Sequence, residues 1–282
     1  MPDMLIEARR VANTVLAGWH GRRAAGRGET FWQFRPFVSG ETAASIDWRR
    51  SARDEHLFVR ETEWEAAHTL WLWPDLSTSM DFRSRLATVS KRRRAIVLTL
   101  ALAEMLANAG ERVGLPGAGK PVLARNAAER MAQQISTSGL DGAFAMAPDT
   151  RPLRSFHDIV VFSDFLNPVA ETDALLSRIL ATNARAHLVQ VVDPSEETFP
   201  YSGRTEFVDP ETGARHLATR AELYRAEYQA RLQALREHLG AVNRRAGWTF
   251  LVHRTDRPAS EPLLALHARL ADRQANHAGH AA

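Results

Sequence analysis

The chain reads as an α/β protein, a mostly parallel sheet with helices on both faces, preceded by a helix and an irregular, partly extended segment. Three observations predict this. From Thr69 onward, short β-capable apolar runs alternate with stretches of helical periodicity, the mark of βαβ units. Leu70–Trp73 is apolar without interruption, as expected of a strand buried on both faces of a parallel sheet, and the string HDIVVFSDFL repeats the pattern about ninety residues later. Both runs end in oxygen-bearing side chains, Asp75 with Ser77 and Ser79, and Ser163 with Asp164. The carboxyl edge of an open α/β sheet is where ligands bind.

Taken in order, an amphipathic helix is expected near Met4–Leu16, followed to Glu65 by a segment rich in Gly, Arg and Trp with short extended pieces. Strands are placed at Thr69–Trp73, Glu111–Leu115, Asp158–Phe162, Ala186–Val192 and Trp248–His253. Pro74 suits the end of the first, because proline cannot donate to a ladder. Helices fill Arg85–Ala109, Ala127–Ile135, Val169–Thr182, Ala221–Arg245 and Glu261–Asp272. Within 197–217, TEFVDPETGARHLA reads as a hairpin turning on Asp209–Gly213, either a partner-facing insertion or edge cover. The expected division is therefore an N-terminal segment, 1–65, packing on a main domain, 66–274, with a polar tail, 275–282.

Composition narrows the class. A chain of 282 residues suffices for one large α/β domain plus an appended segment. It has no cysteine, which excludes disulfides, zinc–thiolate sites and thiol catalysis and suits the cytoplasm. MPDMLIEARR carries acids early and lacks the apolar core of a secretory signal. Ala95–Ala103 is far shorter than the roughly 18 apolar residues that span a bilayer, and Glu104 interrupts it, so a buried helix is expected and no membrane insertion.

Arginine far outnumbers lysine, but the net charge is only +3. Within residues 1–65, ten arginines are matched by ten acids, and the interleaved Trp19, Trp32 and Trp48 suit cation–π and ion-pair packing better than a nucleic-acid stripe. Between Arg83 and Arg94 six basic residues occur without an acid. Arg83 and Arg85, near the Asp75 loop, are candidate partner-binding residues for an acidic surface, and the cluster Lys91–Arg94 reads as a solvated face. Gly114–Lys120 mimics the spacing of a phosphate-binding loop, but Pro121 removes the hydroxyl that would hold Mg²⁺ and a returning strand follows in place of a helix.

Asp75, Ser77 and Ser79 are also ordinary turn and helix-cap residues. The alternative is half of a divalent-cation site: Mg²⁺ takes oxygen ligands in near-octahedral array and keeps waters, so one carboxylate with two hydroxyls forms a partial cage. Asp164, at a second strand end, is a candidate to complete it.

The segment upstream of Asp75 carries a resemblance. Gly26 and Gly28, Arg35 with Phe37 and Gly40, Ile46-Asp47-Trp48, Ala52-Arg53, and then Asp75 to Met80 occur in the order seen in the bacterial domain-of-unknown-function family numbered fifty-eight, which this chain resembles. It departs at Glu41, where the family usually has Asp, and at Ala44, near a further Arg. The resemblance implies a von Willebrand factor A-like domain in which Asp75, Ser77 and Ser79 form the first loop of a metal-ion-dependent adhesion site holding Mg²⁺ (or Mn²⁺), with Asp164 the later carboxylate. A middle loop normally adds a threonine, for which Thr137 is the candidate and Ser136 or Ser138 the alternatives. It also implies a MoxR-type AAA+ ATPase as partner, in a chaperone-like role toward an unidentified client complex.

No enzyme constellation competes: there is no His-Glu-x-x-His and no Gly-x-Ser-x-Gly, and the eleven histidines are scattered. Asp47 and Trp48 read as anchors of the N-terminal segment, through a buried carboxylate and aromatic packing. The expectation is a non-enzymatic, cation-dependent interaction module. The alternatives are Mg²⁺-assisted phosphoester hydrolysis at the same residues and an arginine-rich nucleic-acid binder.

Overall fold

Five short runs become five parallel strands, three of them buried along nearly their whole length, and helices cover them. The computed structural model describes residues 1–20, 31–38, 42, 46–54, 56–62, 68–137 and 147–278. Along the chain come α1 (Pro2–His20), β1 (Phe31–Pro36), α2 (Trp48–Ser51), β2 (Phe58–Thr62), β3 (Thr69–Pro74), α3 (Lys91–Asn108), β4 (Arg112–Gly114), α4 (Ala127–Thr137), β5 (Asp158–Ser163) and α5 (Val169–Ala181). Then follow β6 (Arg185–Val192), α6 (Pro194–Thr198), β7 (Thr205–Val208), β8 (Arg215–Ala218), α7 (Arg225–Ala246), β9 (Thr249–Arg254) and α8 (Ser260–Ala278). The chain divides into two units, Met1–Gly18 with Ala67–Ala282, and Trp19–Ala66.

In the smaller unit β1 and β2 pair antiparallel, with Arg35 opposite Val59 and Pro36 opposite Phe58. Asp47 accepts a hydrogen bond from Arg50 N at 2.9 Å and so caps α2. The Arg50 guanidinium lies 4.8 Å from the Phe58 ring and 5.8 Å from that of Phe34. Trp48, the first residue of α2, is 61% exposed. The motif residues Gly26, Gly28, Gly40, Glu41 and Ala44 lie outside the described residues.

The larger unit holds the sheet in the order β4-β3-β5-β6-β9, all neighbours parallel. Alternate residues of each strand point to opposite faces. Leu70 and Leu72 of β3, Val160 and Phe162 of β5, and Val189 and Val191 of β6 share one core with α1, α3, α4 and α8. Trp71 and Trp73, Ile159 and Val161, and Ala186 and Leu188 share the other with α5 and α7. Helices therefore cover both faces, and full burial of each large apolar side chain contributes about 1.5–3 kcal/mol. Helix α1 places Ala8, Ala12 and Val15 in the first core, so it packs with the larger unit although it precedes the smaller one.

Helix α3 is buried along most of its length, which explains why its sequence lacks a polar face. It begins at Lys91, not Arg85: Ser90 Oγ accepts from Arg93 N at 3.2 Å and caps it. Gly114 is required by contact, because a Cβ there would lie 2.8 Å from Cζ3 of buried Trp71. The segment after it returns as expected, with Val113 and Val122 exchanging two backbone hydrogen bonds. Helix α8 continues to Ala278, past the expected end at Asp272, since no Gly or Pro interrupts the sequence before Gly279.

The topology also creates a crevice. The chain leaves β3 through α3 to β4 on one side, while β5 lies on the other side of β3. The carboxyl ends of β3 and β5 flank the point where the winding reverses, where an open α/β sheet leaves room for a ligand.

Candidate functional site

Asp75 follows Pro74 directly, and its backbone N–H reaches Phe162 O at 2.8 Å, extending the β3–β5 pairing by one bond. Its carboxylate is 3% exposed. Oδ1 accepts from Ser77 N at 2.9 Å and Oδ2 from Ser163 Oγ at 2.6 Å. Burial pushes the Asp75 carboxyl up, against the hydrogen bonds from Ser163 and Ser77. The aspartate therefore fixes the turn that aims the following hydroxyls. Ser77 Oγ lies 3.2 Å from Ser79 Oγ, and Ser79 Oγ donates to Asp164 Oδ2 at 2.9 Å. The structure thus brings Asp75, Ser77, Ser79 and Asp164 together at one strand edge.

Asp164 is held on every side. Oδ1 accepts from Leu166 N at 3.0 Å, and the backbone carbonyl accepts from Gln190 Nε2 at 3.0 Å. Gln190 is in turn fixed by Arg236 Nε of α7 at 2.9 Å, and Arg236 also donates to Glu197. The largest electrostatic feature was not expected: Lys91 Nζ lies 2.8 Å from Asp164 Oδ2 and also bonds Glu196 Oε1. Lys91 and Asp164 are each 1% exposed. Burial works against the ammonium, but the Asp164 and Glu196 carboxylates outweigh it and hold its pKa above the ordinary lysine value. Burial likewise pushes the Glu196 carboxyl up, opposed by Lys91.

The reading of Lys91–Arg94 as a solvated face is corrected here. Arg92 Nη2 donates to Leu76 O at 2.7 Å and Ser77 O at 3.0 Å and pairs with Asp81 at 2.9 Å, bracing the Asp75 loop. Arg93 bonds Asp3 and Glu7 of α1, and Arg94 donates to Thr255 O and Arg257 O after β9. The acids that pair with Lys91 and Arg93 lie far away in sequence, that of Arg92 lies just before Arg83, and Arg94 is satisfied by backbone carbonyls, so the string from Arg83 to Arg94 shows none of them.

Two further residues belong to the site. Asp193, at the end of β6, caps α6 in a reciprocal box with Glu196 and accepts from Ser84 N at 2.9 Å. Burial pulls its pKa upward, but the hydrogen bonds from Ser84 and Ser195 prevail and hold it below the usual range. The string Asp193-Pro-Ser-Glu196 after a buried strand is a capping-box signal that the sequence reading passed over. Glu211, in the turn between β7 and β8, crosses to the Asp75 loop, where Oε2 accepts from Thr78 Oγ1 at 2.6 Å and Oε1 from Ser79 N at 2.8 Å. A cavity of about 610 Å³ opens beside them, lined by Ser79, Lys91, Glu196, Phe199, Phe207 and Glu211 among others.

Not every candidate joins this arrangement. Thr137 is the last residue of α4, exposed, with its hydroxyl donating to Gln133 O at 2.9 Å. It lines a separate cavity with Gly114 and Met131, because α4 runs two residues further than expected and absorbs the proposed middle loop. Ser136 lies in the same helix, and Ser138 falls outside the described residues. Arg83 and Arg85 are exposed in the segment before α3, where Arg83 reaches Thr88 O at 3.4 Å. Among the described residues no group of three or more His, Asp or Glu side chains is arranged to hold a metal, so a cation here would depend on the serine hydroxyls.

Comparison with known proteins adds the following. The family described as "Protein of unknown function DUF58" matches residues 33–238. Uncharacterized proteins of Mycobacterium bovis (Mb1516) and Mycobacterium tuberculosis (Rv1480) are each 28% identical over 257 residues, covering 86% of this chain and 80% of theirs. Among solved structures, the conserved hypothetical protein BatB from Bacteroides thetaiotaomicron aligns with TM-score 0.41 and 11% identity, over 73% of this chain and 100% of that one. An aerotolerance-related membrane protein from Bacteroides fragilis aligns with TM-score 0.36 and 14% identity, over 70% and 96%.

Proposed function

We propose that this chain, which belongs to the DUF58 family of proteins of unknown function, is a divalent-cation-dependent protein-interaction module with a von Willebrand factor A-like sheet. The observation that carries this is the spacing of three oxygens. Ser77 Oγ, Ser79 Oγ and Asp164 Oδ2 are separated by 3.2 and 2.9 Å along the chain of contacts. Adjacent ligands of an octahedral Mg²⁺ at about 2.0–2.1 Å stand about 3 Å apart, so the donor set fits the ion in type and spacing. The charges fit as well: Lys91 pairs with both Asp164 and Glu196, and Asp75 is a further buried carboxylate, bonded to Ser77 and Ser163.

In this reading Ser77, Ser79 and Asp164 hold the cation, and Asp75 stands behind them, orienting Ser77 through its backbone and Ser163 through its hydroxyl. A bound Mg²⁺ or Mn²⁺ supplies a coordination position for an Asp or Glu of a partner. Lys91 holds the Asp164 carboxylate in place, and Gln190 holds its backbone. The family resemblance supports a MoxR-type AAA+ ATPase as partner, in the cytoplasm, acting on a client complex. No helix among the described residues is long and apolar enough to cross a membrane. A binding role accords with Arg92, which is engaged by Leu76 O, Ser77 O and Asp81 and is not available to clamp a phosphoryl group.

Two measurements test the reading. Mn²⁺ titration followed by water-proton relaxation should show one site, weakened at least about tenfold in Ser79→Ala and Asp164→Asn. Affinity capture with the tagged chain should recover an AAA+ ATPase in Mg²⁺ but not in EDTA, and not with Asp75→Ala. No Mn²⁺ binding to the wild type refutes the cation site; capture indifferent to metal moves the interface elsewhere.

A further inference from the structure

We propose that the β7–β8 hairpin is a lid on the candidate site, latched by Glu211, and that an acidic side chain of a partner reaches the site by displacing this internal carboxylate. The second half rests on the cation-site reading above; the latch itself rests on geometry alone.

The hairpin is a two-stranded sheet of its own, with Thr205 opposite Ala218 and Val208 opposite Arg215, separate from the five-stranded sheet. Its root is fixed by rings: Phe207 stacks 5.8 Å from Phe199 and meets Tyr201 edge-on at 5.4 Å, and His216 meets Tyr224 at 5.6 Å. Its tip is held differently. Among the described residues, the two hydrogen bonds of Glu211, to Thr78 Oγ1 and Ser79 N, are those that join the tip to the Asp75 loop.

The turn does not need this glutamate for its own shape. Asp209 builds it, accepting from Glu211 N at 2.9 Å and from Thr212 Oγ1, while Gly213 closes it at φ 71° with its N–H on Asp209 O. The result is a preformed arm whose carboxylate costs little entropy to present. It is bonded to the same Ser79 whose hydroxyl meets Asp164, so an acid approaching that residue from solvent encounters an acid already there. The cavity of about 610 Å³ lined by Ser79, Phe207 and Glu211 lies against the hairpin.

The latch is built to exchange. Glu211 is exposed, and solvent-exposed charged contacts are weak. A tethered group nevertheless competes at an effective concentration in the millimolar range. With the latch closed about nine-tenths of the time, the apparent affinity of an incoming carboxylate falls about tenfold.

Hydrogen exchange by mass spectrometry on the full chain reads the latch directly. In Glu211→Ala, the peptide containing Ser79 should exchange about tenfold faster than in the wild type, with peptides of β5 and β6 unchanged, and Glu206→Gln in the same hairpin should have no effect. Exchange at Ser79 that is the same in Glu211→Ala and the wild type overturns the latch. With Mn²⁺ at saturation, N-acetyl-aspartyl amide used as probe should bind Glu211→Ala about tenfold more tightly than the wild type; equal affinities overturn the competition. If neither protein binds Mn²⁺ while the exchange effect persists, the latch is supported and the cation reading alone falls.

Discussion

Replacing Lys91 with methionine is the sharpest perturbation the structure offers, because it removes one charge from a place where none can be replaced by water. The ammonium is 1% exposed and lies 2.8 Å from an equally buried Asp164. At an effective dielectric near 20 that contact alone is worth about 6 kcal/mol gross. Desolvation of the ammonium offsets much of this, and measured losses on removing one partner of a buried pair are about 3–5 kcal/mol. The same range is expected here, since Glu196 loses its partner too. Total stabilities run about 5–15 kcal/mol, so the variant should remain folded but close to the margin. Urea denaturation at pH 7, followed by the fluorescence of buried Trp71 and Trp73, would measure it. The triple variant Lys91→Met, Asp164→Asn, Glu196→Gln should recover most of the loss, because the cost lies in carboxylates left unpaired. A loss under about 1 kcal/mol for the single variant, or a triple variant no better than the single, would refute the reasoning.

Three other outcomes are expected. Burial, with Arg94 nearby, pushes the His253 imidazole down to about 3. The unfolded chain then binds a proton that the folded one refuses between about pH 6.5 and 3, so this stability is present above about pH 6.5 and lost as pH falls, by about 1.4 kcal/mol per unit; His253→Leu should lose that dependence relative to wild type in denaturation at pH 7 and pH 5. Gly114→Ala should destabilise by about 1–3 kcal/mol, because the added Cβ meets buried Trp71 at 2.8 Å; a thermal midpoint equal to wild type would contradict this. Ser163→Ala removes the 2.6 Å hydrogen bond to Asp75 Oδ2 and the acceptor for Phe165 N, and should cost about 1–3 kcal/mol together with part of any Mn²⁺ affinity; retention of both would show that Asp75 needs no such support.

β3, β5 and β6 were legible because parallel strands buried on both faces are written as continuous apolar runs, and they, like the edge strand β9, begin and end within one residue of where the sequence suggests. Asp75, Ser77, Ser79 and Asp164 were legible because topology places strand ends together. What lies across from them was not. Nothing near Lys91 in the sequence says that Asp164 and Glu196 will face it, and the same holds for Glu211, which looked like part of a turn. The sequence predicts α3 from Arg85, six residues before it starts, because Arg85–Ser90 carries no breaker, and places Thr137 in a loop because helical periodicity fades before the helix does.

The first turn of α3 has a consequence for how the protein is assembled. Four cations sit at the end of a helix that disfavours positive charge, each countered by a different part of the chain: the Asp164 strand end with α6, the Asp75 loop, α1, and the segment after β9. An isolated α3 would therefore fray where the site must form. Order at that turn draws on segments from both ends of the sequence. Deleting α1, which removes Asp3 and Glu7 from Arg93, is therefore expected to loosen the first turn of α3 before the sheet.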